Sequence, residues 1–196
     1  NTTSPIYYTD ILAMSAANNS AAIEDQRTSP ATLSTVYVDA SAAPGGTGTV
    51  SSPKQTISEG ITRVVPGGTI YVADGTYAEQ LLIEKAVSLV GPNAGINPNT
   101  GTRVAEAVIT YPAGLTSDQD LVTGNADDIS IDGFTLDGKD LDGAYLGNGI
   151  MSDDSNLTVM NNIVKNFTMV GIWTSSYEFT TVWDYSYYNS GLLIEN

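Results

Sequence analysis

Six aspartates stand close together in the middle of the chain, within a span of sixteen residues. Carboxylate oxygens are the ligands that Ca²⁺ prefers, and the ion takes about six to eight of them. The spacing differs from that of an EF-hand loop, and a solvated acidic loop is the alternative interpretation. The cluster predicts a Ca²⁺ site with the candidate ligands Asp127, Asp128, Asp132, Asp137, Asp140 and Asp142.

Two pairs of adjacent aspartates, Asp127-Asp128 and Asp153-Asp154, raise the question of acid–base catalysis. When two carboxylates lie close together, the charge of one raises the pKa of the other, which can then serve as a general acid. The sequence offers neither pair a clear partner group, and exposed aspartates are common in turns. We therefore assign no catalytic residue from this pattern.

Aromatic residues are concentrated near the end of the chain, with seven of them in residues 173–188. Such rings stack on sugar faces, but they also build protein interfaces, where Tyr and Trp are enriched. The cluster adjoins a final apolar segment without a capping helix, so we favour an interface between copies of the chain over carbohydrate. The predicted interface residues are Ile6, Tyr7, Tyr8, Trp173, Trp183, Tyr185, Tyr187, Leu192, Leu193 and Ile194.

Four Asn-x-Ser/Thr sequons are candidate N-glycosylation sites, although the high Ser and Thr content would produce a similar number by chance. The sequence begins without Met or a signal segment, which is typical of a processed, secreted polypeptide and equally of a trimmed one. We expect an extracellular protein, secreted or held at the cell surface. The sequons begin at Asn1, Asn18, Asn156 and Asn166.

The charge balance limits the possible partners. The chain of 196 residues has 22 acidic and 7 basic side chains, no His, no Cys and a formal charge of −15. Nucleic acid is excluded as an expected partner because phosphate binding relies on clustered Lys and Arg. Divalent cations and cationic surfaces suit this charge better. No apolar run approaches the length of a membrane span.

Two sequence echoes indicate how these residues are positioned. One repeats Gly and two apolar residues at intervals of 22 and 20 residues, and the other repeats a short strand that ends in a bend. Repeats too short to bury a core alone must stack on their neighbours, which predicts a parallel β-solenoid. The first echo comprises Gly149-Ile150-Met151, Gly171-Ile172-Trp173 and Gly191-Leu192-Leu193, and the second comprises residues 129–133, 157–161 and 181–185.

The chain divides into a polar extension or arm over residues 1–34 and a β-helix domain over 35–196. Within that domain a helix is expected over about 52–65, with Ser52 as N-cap, and it would cover the first coil of the stack. The connections 92–106 and 137–148 are longer than a tight corner needs, so we expect them to loop out where binding occurs.

Residues 68–77 and 87–95, with the helix at 56–61 before them, resemble the opening coils of right-handed parallel β-helix proteins of the pectin lyase-like superfamily. The resemblance covers about residues 35–196 and implies an all-β, right-handed parallel β-helix with an N-terminal capping helix. In that family apolar side chains stack inside the coils, and Asn commonly occupies a bend. The candidates for bend positions are Asn161, Asn162, Asn166 and Asn189.

The resemblance also implies possible activities. The family's hydrolase branch combines paired Asp with a Gly-His-Gly segment, and this chain has no His. The lyase branch uses Arg or Lys as the base and usually Ca²⁺. The candidate bases are Arg103, Lys139 and Lys165, which form no cluster in the sequence.

The function expected from these observations is that of a non-enzymatic extracellular protein. Open β-helix ends would stack so that the chain forms a homo-oligomer or polymer, as a filament, sheath or surface layer. The alternatives are a polysaccharide-binding domain, a Ca²⁺-dependent polysaccharide lyase domain, or an adhesin.

Overall fold

The computed structural model describes residues 33–115, 119–138, 147–153 and 156–174 in full, and the backbone of 181–182 and 192–193. The predicted extension over residues 1–34 lies outside this part, apart from Leu33 and Ser34, which open the first strand. Within the described residues there is one helix, α1 (Ile57–Arg63). No helix in this part of the chain is long and apolar enough to cross a membrane.

Short strands make up most of the described structure. In chain order they are β1 (Leu33–Val38), β2 (Val64–Val72), β3 (Gly75–Ala78), β4 (Leu81–Ile83), β5 (Val87–Val90), β6 (Ala107–Thr110), β7 (Val122–Gly124), β8 (Ile129–Asp132), β9 (Thr135–Asp137), β10 (Ile150–Ser152), β11 (Thr158–Met160), β12 (Ile163–Lys165), β13 (Ile172–Thr174), β14 (Thr181–Val182) and β15 (Leu192–Leu193).

The strands form three sheets, which the chain visits in rotation. Sheet 1 has the order β1-β2-β5-β8-β11-β14, sheet 2 the order β3-β6-β9-β12-β15, and sheet 3 the order β4-β7-β10-β13. Four successive coils therefore each contribute one strand to every sheet, beginning with β2-β3-β4. All neighbouring strands are parallel except β12 and β15. This arrangement confirms the predicted parallel β-helix.

The core is a set of columns in which one apolar side chain from each coil lies above the next. Alternate residues of a strand point to opposite faces, so each strand places every second side chain in the interior of the β-helix. Burying each such side chain contributes about 1.5–3 kcal/mol. The main columns are Val36, Ile70, Leu89, Ile131 and Val159 in sheet 1; Tyr77, Ile109, Leu136 and Val164 in sheet 2; and Leu81, Val122 and Ile150 in sheet 3.

The helix is shorter than predicted. Its N-cap is Thr56, whose side chain forms a capping box with Glu59, so the prediction of Ser52 as N-cap is wrong. Lys54 explains the difference, because its backbone N–H donates to Tyr37 and its carbonyl accepts from Asp39. This segment thus covers the outer edge of β1 before the helix begins. Such an edge would otherwise expose unpaired backbone groups.

The sequence echoes are confirmed in part. Ile150 pairs with Ile172 and Thr158 pairs with Ser130, as the repeats predict. The repeat aligns Thr158 with Val182, but Thr158 pairs with Thr181, so the register there differs by one residue. Leu192-Leu193 was expected to continue sheet 3 in parallel, but β15 instead pairs antiparallel with β12 in sheet 2. The outer edge of β12 offers free backbone groups to a strand of either direction, and the local sequence does not distinguish the two.

Candidate functional site

Three of the aspartates singled out in the sequence, Asp128, Asp132 and Asp137, lie at corners of the coils, where each bonds to an asparagine of the following coil. The Nδ2 atom of Asn156 donates to Oδ1 of Asp128 at 3.0 Å. The same bond joins Asn161 to Asp132 at 2.8 Å. It recurs at a third corner, from Asn166 to Asp137 at 2.8 Å. These pairs connect residues 28 or 29 positions apart, so they join neighbouring coils.

The residue types at these corners follow from the backbone. Asp128, Asn156, Asn161 and Asn166 have φ angles of 59°, 62°, 53° and 61°. This left-handed region is costly for most side chains, but Asn and Asp tolerate it because their short polar groups bond locally. The asparagines therefore allow the sharp bend and also connect the coils.

The side chain of Asn162 has a different role from those of Asn161 and Asn166 because it lies in the interior of the β-helix. It is 2% exposed. Its Oδ1 atom accepts from the backbone N–H of Phe134 at 2.8 Å, and its Nδ2 atom donates to the carbonyl of Ile131 at 2.8 Å. Asn162 thus satisfies buried backbone groups at a corner, as predicted for this set of asparagines. Asn189 lies outside the described residues.

The predicted Ca²⁺ ligands are distributed over separate corners. Asp127 and Asp128 precede β8, Asp132 ends β8, and Asp137 ends β9. Among the described residues, no three His, Cys, Asp or Glu side chains converge in a way that could hold a metal ion. Asp140 and Asp142 lie outside the described part. The Ca²⁺ site stays a prediction, and three of its candidate carboxylates already accept hydrogen bonds from asparagines.

Arg103, a candidate lyase base, is part of a closed network. Its Nε and Nη2 atoms donate to the two carboxylate oxygens of Glu106, at 2.7 and 2.9 Å. Its Nη1 atom donates to the carbonyls of Ile96 at 3.2 Å and Asn161 at 2.8 Å. The side chain is 10% exposed. The guanidinium therefore fastens the long connection 92–106 against later coils, and a bidentate ion pair of this kind is not placed to remove a substrate proton.

Glu106 completes this network on the outer face of sheet 2. Burial acts to raise the pKa of its carboxyl, but hydrogen bonds from Arg103, Thr135 and Asn93 outweigh it and hold the pKa below its usual value. Thr135 donates to the carboxylate at 3.1 Å and is itself 3% exposed, although it points away from the core. The connection 92–106 was expected to loop out, but this part of it lies on the sheet.

Of the two other basic candidates, the structure describes Lys165. The Nζ atom of Lys165 lies 3.4 Å from Oδ2 of Asp137, so it is engaged in an ion pair on the outer face of sheet 2. Lys139 lies outside the described residues. Asp153 is exposed at the end of β10, and its neighbour Asp154 is outside the described part.

The outer face of sheet 3 carries a row of side chains that sequence reasoning found only in part. Leu82, Thr123, Met151 and Trp173 follow each other in register across β4, β7, β10 and β13. We call these four residues the outer column of sheet 3. Leu82 is 52% exposed and Trp173 is 42% exposed. The sequence signal was the repeat that aligns Met151 with Trp173, but Leu82 stands too far away in the chain for that repeat to reveal it.

Two further exposed apolar side chains precede β13 in the chain. Met169 and Val170 are 50% and 38% exposed. At the other end of the outer column, a shallow depression beside Leu82 is lined by polar side chains of Gln80, Gln119 and Asp120. Asp120 is held by the backbone N–H and the amide of Asn148, at 2.7 and 2.9 Å. Together these residues form a mixed apolar and polar surface that crosses all four coils.

Most other predicted interface and glycosylation residues are not described. Trp173 is exposed as expected, and Leu192 and Leu193 form β15. Asn156 and Asn166 are exposed sequon residues, and both amides donate to aspartates of the preceding coil. The residues outside the described part are Ile6, Tyr7, Tyr8, Trp183, Tyr185, Tyr187, Ile194, Asn1 and Asn18.

Comparison with known proteins identifies the chain at the level of a family. No curated protein and no solved structure matches it. One family model, described as Protein of unknown function (DUF1565), matches residues 42–189, which is more than half of the chain and includes the four coils. The chain belongs to the DUF1565 family.

Proposed function

We propose that this chain is a non-enzymatic structural protein of an extracellular assembly, built as a filament, sheath or surface layer from copies of itself. The outer column of sheet 3 carries the proposal, since it presents Leu82, Met151 and Trp173 in one row. Met151 and Trp173 are neighbours in this row and Thr123 separates them from Leu82. Exposed apolar side chains grouped on one face mark interaction surfaces. The polar composition supports an extracellular location, and the resemblance supports membership of the pectin lyase-like superfamily.

Contact through this outer face differs from the stacking of open β-helix ends that the sequence predicts. The outer edge of β12 pairs with β15, so that edge of β12 is not available to a second copy. We therefore assign the contact to the exposed side chains of sheet 3, with Met169 and Val170, which precede β13 in the chain, as further exposed apolar residues. Asparagine–aspartate pairs between coils would keep this surface rigid, because they fix the register of each coil against the next.

Sedimentation velocity over a wide range of protein concentration tests the proposal. The unaltered chain should form larger species as concentration rises, and Trp173→Ser should reduce this association at least tenfold. Val104→Ser is the matched control, because Val104 is 57% exposed in the connection 92–106 and not part of sheet 3. A chain that stays monomeric at every concentration, or a control that loses association equally, contradicts the proposal.

Polysaccharide binding is the second candidate, and the depression beside Leu82 favours it. The side chains of Gln80, Gln119 and Asp120 place amide and carboxylate groups next to an apolar side chain. Sites for small polar ligands combine such groups. Titration with neutral and acidic polysaccharides would test this function, and Gln80→Ala should weaken binding. Absorbance of unsaturated products after incubation with polyuronate and Ca²⁺ would separate a lyase from a binding domain.

A further inference from the structure

Two tyrosines form a stacked pair on the outer face of sheet 1, a surface that the proposed assembly does not use. Tyr37 of β1 and Tyr71 of β2 are partners in register. Their ring centroids are 5.5 Å apart and their planes differ by 20°. Tyr71 is 44% exposed, whereas its neighbours Ile70 and Val72 point into the core. We call Tyr37 and Tyr71 the tyrosine pair.

The tyrosine pair forms part of a shallow depression. The segment that covers the edge of β1 provides one wall, with Val50 and Pro53, and Asp39 stands at the end of β1. The turn at Val50 is closed by a bond from the backbone N–H of Ser52 to the carbonyl of Thr49, at 3.1 Å. The depression thus combines aromatic and aliphatic surface with one carboxylate.

Asp39 is the one charged residue among the described residues that line the depression. The carboxylate of Asp39 accepts from the hydroxyl of Ser41 at 2.6 Å and from its backbone N–H at 2.8 Å, and these bonds lower the pKa of Asp39. Among the described residues that line the depression there is no Lys or Arg.

We propose that the tyrosine pair and Asp39 bind the guanidinium of an arginine side chain from a partner protein. A planar cation lies favourably on an aromatic face, and Arg combines this stacking with a charge-assisted bond to a carboxylate. Oδ1 of Asp39 already accepts two bonds from Ser41, which leaves Oδ2 for the guanidinium. A divalent metal ion fits less well, because one carboxylate supplies few of the oxygen ligands it needs. The net charge of −15 also favours a basic partner.

The test uses the full chain and a short peptide, acetyl-Gly-Arg-Gly-amide, observed by NMR through the tyrosine ring signals. The matched ligand replaces arginine with citrulline, which keeps the shape of the side chain and removes its charge. The arginine peptide should shift the signals of Tyr37 and Tyr71 and bind at least about fivefold more tightly than the citrulline peptide, with weaker binding at high salt.

Two variants and one control examine the residues separately. Tyr71→Leu keeps apolar surface but removes the aromatic face, and it should weaken binding about two- to fivefold. Asp39→Asn should weaken binding and reduce its dependence on salt. Glu84→Gln removes an exposed carboxylate in the turn after β4 and should leave binding unchanged.

Three outcomes would overturn the proposal. They are equal binding of the citrulline peptide, unchanged binding by Tyr71→Leu in a folded variant, and binding of a neutral oligosaccharide at the tyrosine pair in place of the arginine peptide. Because this surface lies on sheet 1, a failure here leaves the association through sheet 3 unaffected, and the two proposals fail separately.

Discussion

The carboxylate of Glu79 bonds the first turn of α1 to the first coil, in addition to the buried side chains of Ile57 and Ile61, and removing it should destabilise the β-helix. Glu79, in the turn between β3 and β4, accepts from the backbone N–H of Ile57 at 2.7 Å and of Ser58 at 3.0 Å, and also from the Ser58 hydroxyl. These are the first amides of α1, which have no partner inside the helix. A negative charge at this end also interacts favourably with the helix dipole.

The size of the effect follows from these bonds. Loss of a capping side chain costs about 0.5–2 kcal/mol, and unpaired buried donors add to that cost. Because Glu79 is only partly buried, we expect Glu79→Ala to lower the free energy of unfolding by about 2 kcal/mol. Glu79→Gln keeps an acceptor oxygen and should lose about 1 kcal/mol.

Urea unfolding followed by circular dichroism, together with thermal unfolding, measures this difference. For a chain of this size, the loss in Glu79→Ala corresponds to a fall in Tm of about 4–8 °C. Glu84→Ala is the control, since this exposed carboxylate should change stability by less than about 0.5 kcal/mol. If Glu79→Ala and Glu84→Ala unfold at the same urea concentration, the reasoning about the helix attachment is refuted.

Three further stability predictions follow from the interior and the corners. Asn162→Ala leaves two buried backbone groups unpaired and should lower the free energy of unfolding by about 2–4 kcal/mol in urea titrations. Arg103→Ala removes the ion-pair partner of Glu106, which keeps its bonds from Thr135 and Asn93, and should cost about 2 kcal/mol at neutral pH. Because the folded pKa of Glu106 lies below its ordinary value of 4.5, this stabilisation is present above that pH and lost as pH falls below it. Gly133→Ala should cost at least about 3 kcal/mol, because φ is 82° and the added Cβ would lie 2.0 Å from a backbone nitrogen.

Each of these variants has an outcome that contradicts its reasoning. Asn125→Ala, at an exposed side chain, is the reference for Asn162→Ala. Equal stability of the two variants would show that the hydrogen bonds of the buried Asn162 do not stabilise the fold. For Arg103→Ala, the loss relative to the unaltered chain should shrink at acid pH, and a loss that is the same at every pH argues against the ion pair. A Gly133→Ala chain as stable as the unaltered one would show that this corner relaxes easily.

Some features of the fold could be predicted from the local sequence. The alternation of buried and exposed positions in β2 and β8, with repeats near twenty residues, predicts stacked parallel strands because it depends on local geometry alone. Asparagine at the bends is likewise predictable, because a left-handed φ selects Asn, Asp or Gly wherever it occurs. The helix was predicted from its capping pattern, but its start was misplaced because tertiary bonds to β1 use the backbone of Lys54.

The candidate sites depended much more on the folded structure. Arg103 bonds to the carbonyl of Asn161, 58 residues away, and nothing near either residue in the sequence indicates that contact. Leu82 and Trp173 share one face only because the intervening coils place both in sheet 3. Tyr37 and Tyr71 meet because β2 lies beside β1, with α1 between them in the chain.

The amino-acid sequence by itself determined that this protein is a parallel β-helix, because strand alternation, bends and coil length are each set by neighbouring residues. The tertiary structure alone decided which aspartates bond to asparagines, where Arg103 is held, and how β15 returns to β12. The connections between strands differ in length, so residues in contact across coils are not separated by a constant number of positions in the sequence. Only the packing of one coil on the next brings them together.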